Sequence, residues 1–323
     1  MSAPAFALLA TLLASQNFAA RTSHASGTAF SVAIGGDLSL ARGIAGRAAR
    51  EDWDRVLSPL AETLSGADAR MVNLESATGP CLGAGTVQHP RLCGEAGALA
   101  RLARAGVTAV TVANNHALDA GESGLARAVK GLRKEKVDVL GADAVRTGKP
   151  VAEALGPITV VAANLSLSAW PPGASVSIPT ADEIAAVVRT AHRKNARRPV
   201  LVMLHGGREM DSAPSSFERS YSQAAVEAGA AAVVFHGSHV AHGLETIAGV
   251  PVHFGLGNLL FDQRDPKAVY GQVLLLRFRP GVPAEVIETR CVKSTTGRRC
   301  AGPERETGAS ASGGPGQESA TDR

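Results

Sequence analysis

Short apolar runs without polar alternation recur along the chain, separated by segments with helical periodicity. Such runs predict strands that are buried on both faces, as in sheets covered by helices. The predicted strands are Phe30–Ile34, Val107–Val112, Val137–Leu140, Ile158–Ala162, Val200–Leu204, Ala231–Phe235 and Val250–Phe254, with Val273–Phe278 as an edge strand. The predicted helices are Ala96–Ala105, Gly124–Lys136, Asp182–Lys194 and Phe217–Ala228. Helix–glycine–strand units of this kind indicate a layered α/β fold.

Both ends of the chain depart from this pattern. Residues 1–29 contain the apolar stretch Ala3–Ala14 followed by small residues, and we interpret them as a signal peptide. Because no Lys or Arg precedes Arg21, a flexible, alanine-rich N-terminus stays an alternative. Residues 301–323 contain no Leu, Ile, Val or aromatic residue, which predicts a disordered tail. We therefore expect one domain over residues 30–300.

Composition excludes several classes of protein. With 45% hydrophobic and 19% charged residues, the chain of 323 residues is not disordered throughout. No apolar run reaches the roughly 18 residues of a spanning helix, which excludes a polytopic membrane protein. The net charge is +4, but the basic residues are scattered, and aromatic residues are sparse at 8 Phe, 2 Tyr and 2 Trp. We therefore expect no nucleic-acid partner.

The four cysteines form two pairs that are close in sequence, Cys81 with Cys93 and Cys291 with Cys300. Four cysteines allow three pairings, and buried free thiols are a further alternative. Neither pair has the CxxC spacing of a zinc knuckle. We favour two local disulfides, and with them export to the periplasm, the extracellular space or the cell envelope.

Polar residues gather directly after the predicted strands. Each cluster alone has an ordinary explanation, such as a turn, a helix cap or a buried histidine. In open α/β sheets, however, ligands bind at the carboxyl ends of strands, so these clusters are expected to converge. Asp, Glu, Asn and His together suit Mn, Fe, Zn or Mg, including two ions that share a carboxylate. The candidate residues are Asp37, Asn73, Glu75, Asn114, Asn115, His116, Asp119, His205, Glu209, His236, His239, His242 and Asn258.

Several of these stretches carry a resemblance to a known family. The most specific are Ala113–Gly121 (ANNHALDAG) and Gly249–Gln263 (GVPVHFGLGNLLFDQ), to which HGGRE at 205–209 is added. With the first-strand Asp37 and the Asn-Leu-Glu at 73–75, they resemble the capsule synthesis protein CapA family. This family is the poly-γ-glutamate biosynthesis branch of the calcineurin-like metallophosphoesterases, and the similarity covers roughly residues 30–278.

The resemblance implies a four-layer α/β/β/α sandwich with a site for two divalent metal ions at the strand ends. By position, His116 stabilises the transition state or protonates the leaving group, and Asp119 orients its far ring nitrogen. Glu75 replaces the usual bridging aspartate. The implied metal ligands are Asp37, Glu75, Asn115, His205, His239 and His242, and the supporting residues are Asn73, Asn114, Asp119, Glu209, His236 and Asn258.

The chain departs from the family pattern at three places. The string His239-Val240-Ala241-His242 stands where the family usually has His-Pro-His, so either His242 or His236 substitutes for the second histidine or a ligand is lost. Ser39 stands where the superfamily has the histidine of Asp-x-His, and one metal is expected to bind weakly or be absent. Gly206 replaces a frequent aromatic residue, which would widen the pocket.

Two functions from different classes follow. The first is a metal-dependent hydrolase that acts on a phosphoester, or on an amide or acyl phosphate linked to an anionic polymer, in exopolymer synthesis or export. The second is a non-catalytic assembly or export component that binds an anionic polymer. Both allow membrane-associated synthesis machinery as a partner. The retained Asp37, Glu75, Asn115 and His116 favour the hydrolase, whereas the altered histidine motif favours the second function.

Overall fold

The computed structural model describes residues 29–86, 89–166 and 177–300. The predicted N-terminal segment, apart from residue 29, and the predicted tail lie outside the described residues. The helices are α1 (Arg42–Glu51), α2 (Trp53–Leu57), α3 (Pro59–Thr63), α4 (Gly97–Arg104), α5 (Gly121–Lys134), α6 (Ala142–Thr147), α7 (Ala181–Lys194) and α8 (Ser216–Glu227), with a 3₁₀ turn at Pro266–Ala268. The strands are β1 (Phe30–Leu38), β2 (Ala69–Leu74), β3 (Ala77–Thr78), β4 (Cys93–Gly94), β5 (Ala109–Thr111), β6 (Asp138–Leu140), β7 (Val151–Leu155), β8 (Ile158–Asn164), β9 (Val200–His205), β10 (Ala232–His236), β11 (Leu244–Ile247), β12 (Val250–His253), β13 (Asn258–Leu260), β14 (Tyr270–Phe278), β15 (Glu285–Lys293) and β16 (Arg298–Arg299).

Two mixed sheets form the centre of the described part of the chain. The first has the order β16-β15-β14-β1-β2-β5-β6, with β13 also beside β1. Its strands β1, β2, β5 and β6 are parallel, whereas β14 runs antiparallel to β1. The second has the order β11-β12-β10-β9-β8-β7, and its inner strands are parallel. Parallel inner strands bring their carboxyl ends to the same edge of each sheet.

Side-chain alternation assigns each face of the sheets to a different layer. In β9, Leu201 and Met203 pack in a core that also contains Val32 and Ile34 of β1, so this core lies between the two sheets. The opposite face of β9 packs against α7 and α8. The outer face of the first sheet packs against helices α1 to α5. The order helix, sheet, sheet, helix confirms the predicted four-layer α/β/β/α sandwich.

The edge-strand prediction for Val273–Phe278 is wrong. This segment belongs to β14, which lies between β1 and β15 inside the first sheet. Strand β15 was not predicted, because its residues alternate between exposed and buried positions and carry many charges. That alternation is typical of a strand with one face in water.

Both local disulfides are present, Cys81 with Cys93 and Cys291 with Cys300, and no described cysteine is free. This confirms the local pairing. Among the described residues, no helix has the length and apolar character needed to cross a bilayer.

Candidate metal centre

Asp37 and Glu75 meet at the ends of β1 and β2. Gly36 allows the loop at Gly257 to approach β1 closely, since a Cβ at residue 36 would lie 2.0 Å from the Gly257 carbonyl oxygen. The backbone nitrogen of Asp37 donates to that same oxygen at 2.9 Å. The backbone nitrogen of Glu75 donates to the Leu38 carbonyl at 2.8 Å. These contacts bring the two carboxylates into one buried site.

The carboxylate of Glu75 is fully buried, and neither of its oxygens accepts a hydrogen bond from the residues that the structure describes. Three imidazole Nε2 atoms face its Oε1, at 3.7 Å from His239, 3.8 Å from His205 and 4.0 Å from His116. Asp37, Glu75 and His205 each offer a ligand atom, and these atoms lie within 4.8 Å of one another. Such separations are too long for hydrogen bonds, but they suit ligands that share a cation at about 2.0–2.2 Å.

Asp37 is held by several polar groups. Its Oδ1 accepts a hydrogen bond from Asn73 Nδ2 at 2.8 Å, and its Oδ2 accepts one from the Gly237 backbone at 3.2 Å. His236 Nδ1 lies 3.2 Å from Oδ1, and His239 Nδ1 lies 3.3 Å from Oδ2. Asn73 in turn accepts from Asn114 Nδ2 at 3.0 Å and contacts His205 Nδ1 at 3.2 Å. Asn73 and Asn114 therefore orient the carboxylate and the imidazole.

His239 adopts a left-handed backbone conformation, with φ of 59°, directly beyond β10. This turn directs its ring back to the site. Asn258 Oδ1 accepts a hydrogen bond from Nδ1 at 3.0 Å, which leaves Nε2 facing Glu75. The ring of Phe261 packs against it with centroids 5.1 Å apart. An amide oxygen that fixes the far nitrogen of a histidine is a common support for a metal ligand.

Burial and close charges perturb the pKa values of this cluster. Burial raises the pKa of Glu75 well above its usual value, against the opposing charge of His239. For Asp37 burial acts in the same direction, but His236 and His239 outweigh it and hold its pKa well below the usual value. Burial opposes the charged form of His239, yet Glu75 and Asp37 raise its pKa to about 10. Burial lowers the pKa of His205 to about 3. The two neighbouring carboxylates thus favour the protonated form of His239, and a metal bound at Nε2 would replace that proton.

His116 and Asp119 form a buried pair beside the cluster. Asp119 Oδ2 accepts a hydrogen bond from His116 Nδ1 at 2.7 Å, which fixes the tautomer and leaves Nε2 facing Glu75. Asp119 also accepts from Arg91 Nη1 at 2.8 Å and from the backbone nitrogen of Leu92 at 2.6 Å. Sequence reasoning missed Arg91 and Leu92, although they directly precede Cys93 in the disulfide-closed segment. Asn114 Oδ1 accepts from the His116 backbone at 3.1 Å.

The remaining sequence-predicted residues lie in different environments. Asn115 lines the same pocket as His116 and His239, and Glu209 is exposed at that pocket. His242 lies away from the cluster, in contrast to our assignment as a metal ligand. Its Nδ1 faces the Phe254 carbonyl at 3.2 Å and its Nε2 faces the Asp211 carbonyl at 2.9 Å. The displaced second histidine of the motif therefore does not return to the site.

Gly206 does not widen the pocket. A Cβ at this position would lie 2.8 Å from the Cβ of Leu165, so the space beside it is already filled by another side chain. A small pocket that is open to solvent lies next to the cluster. Its other lining residues include Arg42, Phe261 and Gln263, to which sequence reasoning gave no role.

The donor set fits a divalent cation. Carboxylate, imidazole and amide groups converge on a buried carboxylate that lacks hydrogen bonds, and these are the ligands of Mn, Fe, Zn or Mg sites. A two-sheet α/β sandwich with this cluster at the carboxyl ends of its parallel strands is consistent with the fold that the resemblance to the calcineurin-like metallophosphoesterases implied.

The chain belongs to the bacterial capsule synthesis protein family PGA_cap, whose family model matches residues 31–263. It is 30% identical over 168 residues to the PGA biosynthesis protein CapA of Bacillus subtilis (strain 168). The aligned region covers 48% of this chain and 43% of that protein. It is 28% identical over 170 residues to the capsule biosynthesis protein CapA of Bacillus anthracis, with coverage of 49% and 41%. The matches thus span less than half the length of either relative.

Two solved structures are similar to this chain, at lower sequence identity than these relatives. The Haemophilus influenzae NAD nucleotidase NadN is 13% identical, with a TM-score of 0.48, over 83% of this chain and 56% of that chain. The protein TT1561 of Thermus thermophilus is 10% identical, with a TM-score of 0.40, over 78% of this chain and 99% of that chain.

Proposed function

We propose that this member of the capsule synthesis family is a metal-dependent hydrolase that cleaves a phosphoester, or an amide or acyl phosphate attached to an anionic polymer. The buried, hydrogen-bond-free carboxylate of Glu75 supports this proposal most directly. Burying an ionised carboxylate without partners is costly, and a cation shared with the facing imidazoles would offset that cost. A structural role alone gives no reason to keep this carboxylate.

Glu75, His205, His239 and Asn115 would hold the cation, and Asp37 would complete the site from the β1 side. A bound divalent cation supplies Lewis acidity and neutralises the negative charge that develops on the substrate. Asn258 keeps the proton on His239 Nδ1, so that Nε2 is the atom available for ligation.

His116 would move the proton. Asp119 holds one proton at Nδ1 and would stabilise the imidazolium, whose second proton, at Nε2, would go to the leaving group or steady the transition-state charge. The Asp119 carboxylate is itself held by Arg91 and by the Leu92 backbone, which keeps the imidazole in one orientation. The protein therefore supplies a fixed proton donor at the wall of an open pocket.

A second candidate function is a non-catalytic component that binds an anionic polymer during assembly or export. Ser39 and Ala241 favour it, since they stand at positions where the superfamily has metal-binding histidines. A weakened site would still hold a polyanion without turning it over.

Metal content and turnover distinguish the two functions. The purified chain is loaded with Mn, Fe, Zn or Mg, its bound metal is measured, and hydrolysis of an aryl phosphate is followed. Bound metal with turnover that Glu75→Gln abolishes is the result expected for the hydrolase. If the chain binds metal under none of these conditions, the result contradicts the hydrolase and favours the non-catalytic, polymer-binding function.

We further propose that the chain is exported and acts near membrane-associated polymer synthesis machinery, without a nucleic-acid partner. The two disulfides support an oxidising compartment. Free thiols at all four cysteines in protein from its native host would contradict this location.

A further inference from the structure

We propose that Arg42 forms a subsite for a carboxylate or phosphate group of the ligand, in the pocket beside the metal centre. This inference rests on the proposed function, because the ligand is the substrate of that site. No sequence motif pointed to Arg42. It became a candidate because it lines the same pocket as Asn115, His116 and His239.

Arg42 is held in place by contacts on two sides. Its Nη2 donates a hydrogen bond to Asp262 Oδ1, while Asp262 Oδ2 accepts one from the Gly43 backbone at 2.9 Å. The guanidinium lies over the Phe261 ring, 5.8 Å from its centroid. The backbone of Arg42 has φ of 48°, a conformation that L side chains rarely adopt. Asp262 and Phe261 therefore position the guanidinium before any ligand arrives.

The guanidinium keeps donors for a ligand. It carries five N–H groups in a planar fork that matches carboxylate and phosphate oxygens. Within the described residues, Asp262 is its hydrogen-bond acceptor and engages Nη2 alone. The side chain is 34% exposed and lines the pocket, so it can be reached by a ligand there.

Charge determines when an anion can bind. Without a cation, the carboxylates of Asp37 and Glu75 and the exposed Glu209 repel an anion, and Asp262 offsets much of the charge of Arg42. A divalent cation at Glu75 balances the two buried carboxylates. An anionic group can then contact the cation and Arg42 together. We therefore expect anion binding to need both the metal and Arg42.

Calorimetric titration of the metal-loaded chain with orthophosphate and with glutarate tests this inference, and the two probes distinguish a phosphate from a carboxylate subsite. Arg42→Gln should weaken binding of the preferred probe at least tenfold, and Arg42→Lys should weaken it less because lysine lacks the fork but keeps the charge. Arg50→Gln is the matched control, since it removes the same charge from an exposed position of the same helix. The metal-free chain should bind neither probe measurably.

A second pair of variants leaves Arg42 intact. Gln263→Glu adds a negative charge to the pocket and keeps an acceptor for Asn258 Nδ2, so it should weaken binding several-fold. Gln223→Glu, on the exposed face of α8, should have no effect. Equal affinities for Arg42→Gln and Arg50→Gln would overturn the subsite, as would a metal-loaded wild type that binds neither probe.

The same variants separate this inference from the hydrolase function. Arg42-dependent binding without hydrolysis of any phosphoester, acyl phosphate or polymer amide would support the subsite and contradict the hydrolase function. Hydrolysis with the same KM in Arg42→Gln and wild type would remove the subsite and leave the hydrolase standing.

Discussion

The Cys81–Cys93 disulfide closes the segment that fixes Asp119, so its removal should lower turnover as well as stability. The backbone nitrogen of Leu82, beside Cys81, donates to the Asp119 carbonyl at 2.8 Å. Arg91 and Leu92, beside Cys93, bind the Asp119 carboxylate. Both ends of the segment therefore hold the residue that orients His116.

The second disulfide provides a control of similar size. The cysteines are 12 positions apart in Cys81–Cys93 and 9 positions apart in Cys291–Cys300. In the chain-entropy model, closing loops of these lengths removes roughly 3 kcal/mol of unfolded-state freedom in each case. Replacing either pair by serine should therefore lower the free energy of unfolding by a similar amount. Cys291–Cys300 joins β15 to the segment at β16 and contributes no contact to Asp119.

Denaturant unfolding and aryl phosphate turnover, measured at a temperature at which both double variants are folded, separate the two effects. We expect both variants to lose about 3 kcal/mol. Only Cys81→Ser with Cys93→Ser should lose turnover, on the order of 10–10²-fold, because a misplaced proton donor reacts slowly. Its metal content should match wild type. Equal turnover in the two folded variants would refute the coupling between this disulfide and His116.

Three further predictions concern single histidines and Glu75. Glu75→Gln should greatly lower metal content, whereas His242→Ala should leave it unchanged, because both imidazole nitrogens of His242 face backbone carbonyls. Metal analysis of both purified variants checks this prediction, and equal losses of metal would contradict it. His116→Ala should lower turnover by ~10²–10⁴ and keep the metal, and loss of metal would instead identify His116 as a ligand. Burial lowers the pKa of His253 to about 4, so the unfolded chain binds its proton first, and stability falls as the pH drops from about 6.5 to 4. Denaturant titrations at several pH values give the slope of the free energy of unfolding against pH. His253→Leu should reduce this slope between pH ~6.5 and ~4 by the equivalent of up to one bound proton. An unchanged slope would contradict the assignment.

Most strands that are buried on both faces were predicted from the sequence, although the buried strands β2 and β13 were not, and most half-exposed elements were missed. The apolar runs predicted β9 as Val200–Leu204, one residue short of its end at His205. This strand was predictable because burial on both faces gives a continuous run of apolar residues. The four predicted helices also match observed ones within a few residues. Strand β15 and helices α1 to α3 are among the elements that were missed, because exposed charges interrupt their apolar positions.

The candidate site was predictable where its residues follow strands. Asp37, Glu75, His205 and His239 were selected for that position, and the structure brings them into contact distance of one another. The place of His242 was not predictable, because a displacement of one residue in a turn reverses the direction of a side chain. Arg42 was not predictable either, since its position depends on Asp262, 220 residues later in the chain.

The two sides of Glu75 differ in the side chains that could bind a cation, and this difference bears on both candidate functions. On one side, His205 and His239 face Glu75, so a cation there keeps several protein ligands. On the Asp37 side, Ser39 Oγ instead accepts a hydrogen bond from the Ala41 backbone, and Ala241 pairs with Leu256 as an isolated bridge. His236 is the imidazole that contacts Asp37 from that side without a well-aligned hydrogen bond, and its ring occupies the space beside that carboxylate. This arrangement is compatible with the proposed hydrolysis by a single cation, because a cation held by His205 and His239 would lie on the same side of Glu75 as His116.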